Sequence, residues 1–333
     1  MNKNQKAFLV TLLLTTLILF SFIIYTTTTT HTQTVTNKLK IVTSFYPLTY
    51  LTQQLGGDHV EITQLIPNNA EIHNWEPSIS HIMAAEDADI IFYNGADADQ
   101  WIEEDILPAL TNSNNRIITK TTTNLTLITN TKQTHEPKQE QQQYHQHNHG
   151  LYDPHTWISP YMAKQQAENI YNTLITADPE HENYYTQKWN NLKQQLEQLD
   201  NTYLNTLSNN NTNTKNILFV SHEAYGYLAN RYNFTQHGVI GLSADQQPSV
   251  TTISNLINDM KKHQIYILYF DPVYSDKYVQ TIKNDVQTQT EQTVTLLKLY
   301  LMLGPTDGLD YIEQMQTNLT NLQTGLEIIN SKT

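Results

Sequence analysis

Three histidines stand in settings where their chemistry could be used. His73 lies in Asn69-Ala-Glu-Ile-His73-Asn-Trp75-Glu-Pro77, His155 in Asp153-Pro-His155-Thr-Trp157, and His222 in Ser221-His222-Glu-Ala-Tyr-Gly-Tyr-Leu. Neutral imidazole is a borderline-soft nitrogen donor, and three of them suit Zn2+ at about 2.0–2.1 Å. The chain has 13 histidines, and a single one more often caps or decorates a surface. What singles out these three is position: in open α/β sheets ligands bind beyond the carboxyl ends of the strands, and all three fall there. Metal binding through them requires deprotonated rings, so it should weaken below about pH 6.

A second group, His135, His145, His147 and His149, sits in residues 131–150, a stretch of Gln and His with almost nothing apolar. Such a stretch cannot bury a core and is expected to form a mobile surface loop. Ordering it around an ion costs chain entropy that a preformed site does not incur. It is therefore expected to collect metal weakly and pass it on, or to be a solvated insert with no role. His155 is different. Pro154 and Trp157 restrict its surroundings, and Asp153 either orients its ring from behind or caps the helix that follows. Trp75 and Trp157 read as packing that would wall the site from water.

The elements that must position these residues alternate in βα fashion. Strand-like runs at Ile41-Val42, Val60 to Ile66, Asp89 to Tyr93 and Arg116 to Thr119 are separated by helical stretches. These stretches run from Ser44 to Gly56-Gly57, from Pro77 to Glu86, and from Trp101 to Leu110. The rhythm restarts with strands at Ile217–Val220, Gly238–Gly241, Ile265–Phe270 and Thr293–Met302. Helices are expected over Ser221–Tyr232, Val250–His263, Ser275–Gln287 and Asp307–Leu326. This pattern argues for parallel sheets with helices on their faces. Between the two halves, Pro160 to Leu207 is helical with one break at Asp178-Pro179. Its second part carries Tyr184, Tyr185, Trp189, Leu192, Leu196, Leu199 and Tyr203 on one face, and would be about 42 Å long. The expected fold is therefore α/β: two lobes, each a mostly parallel four-stranded sheet with flanking helices, joined by one long helix. The expected segments are 39–179 for the first lobe, 180–207 for the linking helix and 208–333 for the second lobe. A site using all three histidines would lie in the cleft between the lobes.

The N-terminus has another character. Lys3 and Lys6 precede an uncharged run from Ala7 to Tyr25 that spans about 28 Å as a helix, enough to cross a bilayer core. The lysines put the N-terminus inside and the rest outside. Tyr25 is followed by Thr26 to Thr30 and His31, a poor signal-peptidase site, so an uncleaved anchor over 1–25 is favoured, with a Thr-rich tether over 26–38. The absence of cysteine excludes disulfides, thiolate zinc sites and a lipidated N-terminal Cys. A net charge of −13 argues against a nucleic-acid partner.

From about Leu39 to Leu326 the chain resembles the zinc/manganese substrate-binding proteins of ABC importers, the group with a single long helical hinge. The segments that carry the resemblance are Ile41–Tyr46, "AEIHNWEPS", "DADIIFYNGADADQWIE", "DPHTWISP", "SHEAYGYLANRY", "GLSADQQPS" and "YIEQMQTNLTNL". The resemblance implies metal ligands at His73, His155 and His222. It also implies Zn2+ rather than Mn2+ as the transported ion, because histidine stands third and a His-rich loop precedes the second ligand. It further implies an ABC permease and its ATPase as partners, a monomer, and a place on the outer face of the cytoplasmic membrane. The family's fourth, carboxylate ligand has no counterpart in Leu299-Tyr-Leu-Met-Leu-Gly304. Water, Glu71 and Asp307 are the candidates, in that order, while Asp271 is expected to serve loop structure.

Three rivals remain open on the sequence. A zinc hydrolase using the three histidines would need a base, but there is no His-Glu-x-x-His run, and Glu223 on a helix would point away from His222. The same architecture could carry manganese instead, or a metal chelate; a chelate cleft would not place three histidines on one ion, so mutating His222 alone would leave it working. An adhesin or metal buffer would lack a neighbouring permease.

Overall fold

Alternating apolar runs and amphipathic helices fold here into two parallel sheets with the same strand order. The computed structural model describes residues 2–28, 38–72, 75–111, 116–129, 150–208, 217–240, 249–273 and 277–331. His73 and the loop histidines His135, His145, His147 and His149 lie outside them. Residues 1–37 form a unit of their own containing helix α1 (Lys3–Thr28). Its stretch Lys3–Ser21 has a mean hydropathy of 1.4 and is long and apolar enough to cross a membrane.

The first sheet comprises β1 (Leu39–Thr43), β2 (Val60–Gln64), β3 (Ile90–Tyr93) and β4 (Ile117–Lys120) in the order β2-β1-β3-β4, all parallel. Helices α2 (Tyr46–Gly56) and α3 (Ile79–Glu86) connect its first three strands. A π-helical turn, Ile102–Ile106, running into the short α4 (Leu107–Ala109), connects the third to the fourth. The second sheet comprises β5 (Ile217–His222), β6 (Thr235–Ile240), β7 (Ile267–Phe270) and β8 (Thr295–Lys298) in the order β6-β5-β7-β8, again parallel. Its helices are α7 (Gly226–Tyr232), α8 (Val250–His263), α9 (Lys277–Thr290) and α10 (Tyr311–Ser331). Central strands such as β3 are buried throughout, as parallel sheets covered on both faces require.

Between the sheets run α5 (Pro160–Ala177) and α6 (Glu182–Ser208), separated by a 3-10 turn at Pro179–His181. Pro179 cannot donate to the helical ladder, which accounts for the break. The 27 residues of α6 bury Tyr185, Trp189, Leu192, Leu196, Leu199, Tyr203 and Leu207, the stripe read from spacing, while Tyr184 stays half-buried. The helix packs on α2 and α5 of the first lobe and on α7 and α10 of the second. Tyr203 donates to the carbonyl of Met315 at 2.5 Å and stacks on Tyr232 at 4.9 Å. Asp200 takes both Arg231 nitrogens and the Tyr232 hydroxyl. Arg231 also lies 3.8 Å over the Tyr161 ring.

Several expected boundaries shift, each for a local reason. Ser221 and His222 continue β5, because His222 pairs with Ile240 of β6; Ser221 therefore caps no helix, and α7 begins only at Gly226. The helix expected from Pro77 starts after Ser78, whose hydroxyl and backbone are both engaged by His81 in a capping box. The strand expected over Thr293–Met302 shortens to β8, because Tyr300 gives its N–H and carbonyl to the Asn318 side chain rather than to a neighbouring strand. Asp307 lies outside α10. Asp307 and Gly308 both have positive φ (55° and 77°) and form a two-residue turn closed by the Thr306–Leu309 bridge, the Asp-Gly type I′ chemistry.

Tyr203 gives a direct test of how α6 binds the second lobe. Tyr203→Phe removes the hydroxyl's bond to the Met315 carbonyl, which keeps its helical donor, and should lower unfolding free energy by about 1 kcal/mol. Tyr203→Ala should lower it by about 4 kcal/mol through the added cavity. Urea unfolding measures both, and a Tyr203→Ala loss below that of Tyr203→Phe would contradict this packing.

Candidate metal centre

Both sheets change strand direction of travel next to their first strand, so each has a crevice at the carboxyl ends of β1/β3 and β5/β7. His222 is the last residue of β5 and occupies the second crevice by strand geometry alone. His155 reaches the first crevice differently. Asn94, immediately after β3, donates from Nδ2 to the Pro154 carbonyl at 3.1 Å and accepts the Thr156 hydroxyl at 3.0 Å. These bonds pin the peptide before His155 and the side chain after it to the end of the sheet. Asn94 is itself held, through its N–H and that of Gly95, by the buried carboxylate of Asp99 at 2.7 and 2.8 Å. Burial pushes Asp99 up to about 6 against the pull of those two amides.

The result is a pair of imidazoles, one from each lobe, 2% and 4% exposed. Their ring centres are 5.1 Å apart and their planes meet at 82°. Behind His155, one oxygen of Asp153 accepts both the ring Nδ1–H at 2.9 Å and the backbone N–H at 3.0 Å. A carboxylate accepts only, so it holds the proton on Nδ1 and leaves the Nε2 lone pair for an electrophile. Asp153 thus orients the ring; it does not cap α5, whose flanking residue is Ser159. Trp157 lies 5.3 Å from the His155 ring and edge-on to Phe45 at 4.7 Å. Its indole N–H crosses to the Leu301 carbonyl of the second lobe at 2.9 Å, and its own carbonyl accepts the Tyr311 hydroxyl. It both packs and joins the lobes.

A second tie closes the opposite side of the cleft. Asn69, in the left-handed region at φ 62°, donates its N–H to the Leu303 carbonyl at 2.9 Å and its amide to Pro305 at 3.3 Å. Asp271 supports this wall as the sequence reading expects: it is buried and accepts the N–H groups of Val273 at 2.7 Å and Leu301 at 2.5 Å. Burial raises it to about 6, with the two amides acting the other way.

The two carboxylates weighed as fourth ligands have the following partners. Asp307 is held at the surface by Lys298 and the Tyr300 hydroxyl, both at 2.6 Å, and the Lys298 contact keeps its carboxyl below the usual range. Glu71 lies near the cleft-side loop, where Oε1 accepts the Ile72 N–H at 3.1 Å. Among the described residues no third histidine or carboxylate joins His155 and His222 in a group able to hold a metal. Trp75, two residues past His73, packs on Trp101 at 4.4 Å and His81 at 4.7 Å. Glu223 is not on a helix as expected. It sits in the β5–α7 connection, where Oε1 accepts the Gly238 N–H at 3.0 Å, so a hydrolase base there finds no support. Asn94 is the residue that sequence reasoning passed over. Its only signal was an Asn-Gly pair ending a buried strand.

The sequence profile described as "Zinc-uptake complex component A periplasmic" (ZnuA) matches residues 41–325. The chain belongs to this family. Among its relatives, the "High-affinity zinc uptake system protein ZnuA" of Bacillus subtilis (strain 168) is 30% identical over 293 residues, covering 87% of this chain and 88% of that protein. The "Zinc-binding protein AdcA" of Streptococcus pyogenes serotype M3 is 29% identical over 308 residues, and this chain spans only 56% of its length. Among solved structures, the Zn(II)-bound ZnuA-like domain of Streptococcus pneumoniae AdcA superposes with a TM-score of 0.70 at 27% identity, covering 87% of this chain and 99% of that one. The two-lobed fold with its long linking helix is thus the family's fold, and such proteins are substrate-binding components of ABC importers.

Two measurements follow from this geometry. Asp153→Asn should weaken metal binding by about 10- to 100-fold, because the amide no longer fixes the His155 tautomer; unchanged affinity in a chelator competition would contradict that role. Asp271 has a folded pKa above its unfolded value, so the folded state binds the extra proton, and its contribution is present near pH 4 and lost as pH rises through about 6. The shift of about two pH units corresponds to about 3 kcal/mol at most. Asp271→Asn should therefore be more damaging, relative to the unsubstituted chain, at pH 4.5 than at pH 7 in denaturant unfolding.

Proposed function

We propose that the chain is an extracytoplasmic Zn2+ receptor that delivers the ion to an ABC permease, with His73, His155 and His222 as its ligands. One observation carries this reading: a buried imidazole from each lobe, with ring centres 5.1 Å apart. Two imidazoles sharing one tetrahedral zinc at about 2.1 Å per bond hold their ring centres about 5 Å apart. The carboxylate behind His155 supplies the outer-shell partner that zinc-ligating histidines ordinarily have. His73 follows Ile72 in the loop that Asn69 ties to the second lobe, which supports its entering the same cleft. Water as the fourth ligand is favoured by the engagement of Asp307 elsewhere. The names of the relatives, for zinc uptake and zinc binding, support zinc over manganese.

The lobes, the linking helix and the N-terminal segment have separate tasks in this reading. Residues 39–179 and 208–333 each supply one wall of the cleft, and 180–207 limits how far they swing apart. Helix α1 holds the receptor at the outer face of the membrane, where a permease and its ATPase receive the ion. The His-rich segment 131–150 collects zinc weakly, hands it to the cleft and is dispensable for tight binding.

The test is a competitive titration with zinc and manganese on a soluble chain beginning at Leu39, with and without residues 131–150. One tight zinc equivalent should survive the loop deletion and disappear in His155→Ala and in His222→Ala. Tight binding that vanished with the loop and survived His155→Ala would assign the site to the His cluster and discard the cleft reading. Tighter manganese than zinc would move the cargo to manganese.

A further inference from the structure

We propose that Tyr227 is a positioning residue that couples contact between the lobes to the orientation of the His155 imidazole. Tyr227 is the second residue of α7 and follows His222 by five positions, so it travels with the second lobe. Its side chain reaches across to the first. The hydroxyl donates to the Asp153 carbonyl at 2.8 Å and accepts the Ile128 N–H at 3.1 Å. The Asp153 N–H in turn donates to the Ile128 carbonyl at 2.8 Å. Phenol, Ile128 peptide and Asp153 peptide therefore close a ring of three hydrogen bonds. Asp153 is the residue whose carboxylate holds the ring and backbone of His155.

The neighbouring residue acts on the same carboxylate. A Cβ placed on Gly226 would overlap Asp153 Oδ2, so the bare backbone of the first turn of α7 seats the oxygen that faces away from His155. The first turn of α7 thus touches Asp153 on both its peptide and its carboxylate. This turn does not move independently, because Arg231 and Tyr232 later in the helix bind Asp200 of α6. One short helix consequently places His222 at one end of its connection and fixes the support of His155 at the other. Parting the lobes at this point removes the Tyr227 hydroxyl from Asp153 and the Gly226 backbone from its carboxylate. The His155 ring then loses its fixed tautomer and direction in the same movement that carries His222 away. Release is a coupled event rather than the loss of one ligand at a time.

The proposal rests on the reading of His155 as a zinc ligand. Its test uses the full chain in detergent and compares the unsubstituted protein with Tyr227→Phe, Gly226→Ala, Asp153→Asn and the Tyr227→Phe/Asp153→Asn double variant. Zinc affinity is read by chelator competition and dissociation by stopped flow. The His155 Nδ1 proton is followed by NMR, and folding is checked by thermal unfolding. Tyr227→Phe should weaken zinc about tenfold, chiefly through faster dissociation, and speed exchange of the His155 Nδ1 proton. Gly226→Ala should act in the same direction through the carboxylate. In the Asp153→Asn background, Tyr227→Phe should add little. Zinc affinity and Nδ1 exchange that match the unsubstituted protein in folded Tyr227→Phe would overturn the proposal, as would losses that simply add in the double variant. If His155→Ala leaves zinc binding by the unsubstituted chain intact, the metal-site reading itself fails, and this inference with it.

Discussion

One carboxylate oxygen carries the cleft. Asp153 Oδ1 accepts from the His155 backbone and from its ring, so a single atom fixes where the residue begins and which nitrogen it offers. An unsupported imidazole would rotate and exchange tautomers, and its affinity for an ion would fall by the fraction of time spent wrongly arranged. Burial strengthens the arrangement, because a desolvated carboxylate gains more from each donor than an exposed one. The surrounding contacts hold that carboxylate still: Asn94 on the Pro154 carbonyl and the Thr156 hydroxyl, Ile128 on the Asp153 peptide, and the first turn of α7 on its carbonyl and carboxylate.

The two lobes solve the same problem with related means. Each places a buried acid just beyond its third strand in sequence, and each acid gathers two backbone N–H groups from the turn that lines the cleft. Asp99 steadies the turn that grips His155, and Asp271 steadies the Leu301 turn that receives the Trp157 indole. Both are pushed up to about 6 by desolvation, so both are held ionised at neutral pH at some expense to folding. The acids at the strand ends therefore organise backbone.

Much of this was legible before any coordinates. The period-two and period-3.6 patterns located all eight strands and the long helix α6, because burial on both faces of a parallel sheet and on one face of a helix leaves a direct compositional mark. The place of His222 at a strand end was legible, whereas the route by which His155 reaches the cleft, through Asn94, was not; the family resemblance was carried by contiguous motifs. What stayed hidden were interactions between residues far apart in sequence. Asn94 and Thr156 are 62 positions apart, and Tyr227 and Asp153 are 74 apart. Asp307 was open to two local readings, turn and ligand, and with Gly308 it forms a turn. The β5–α7 boundary was misplaced because Ser221 looks like a helix cap, whereas edge pairing with Ile240 extends the strand through His222.

On either side of residues 130–149 the described chain is closed into a neck: Thr129 and Tyr152 form an antiparallel bridge, and Asp153 bonds back to Ile128. An insertion closed at its neck transmits little of its own length to the scaffold. Descendants of this chain can therefore lengthen, shorten or re-compose that segment without re-tuning the cleft. Change in that segment and change in the cleft can then proceed largely independently of one another.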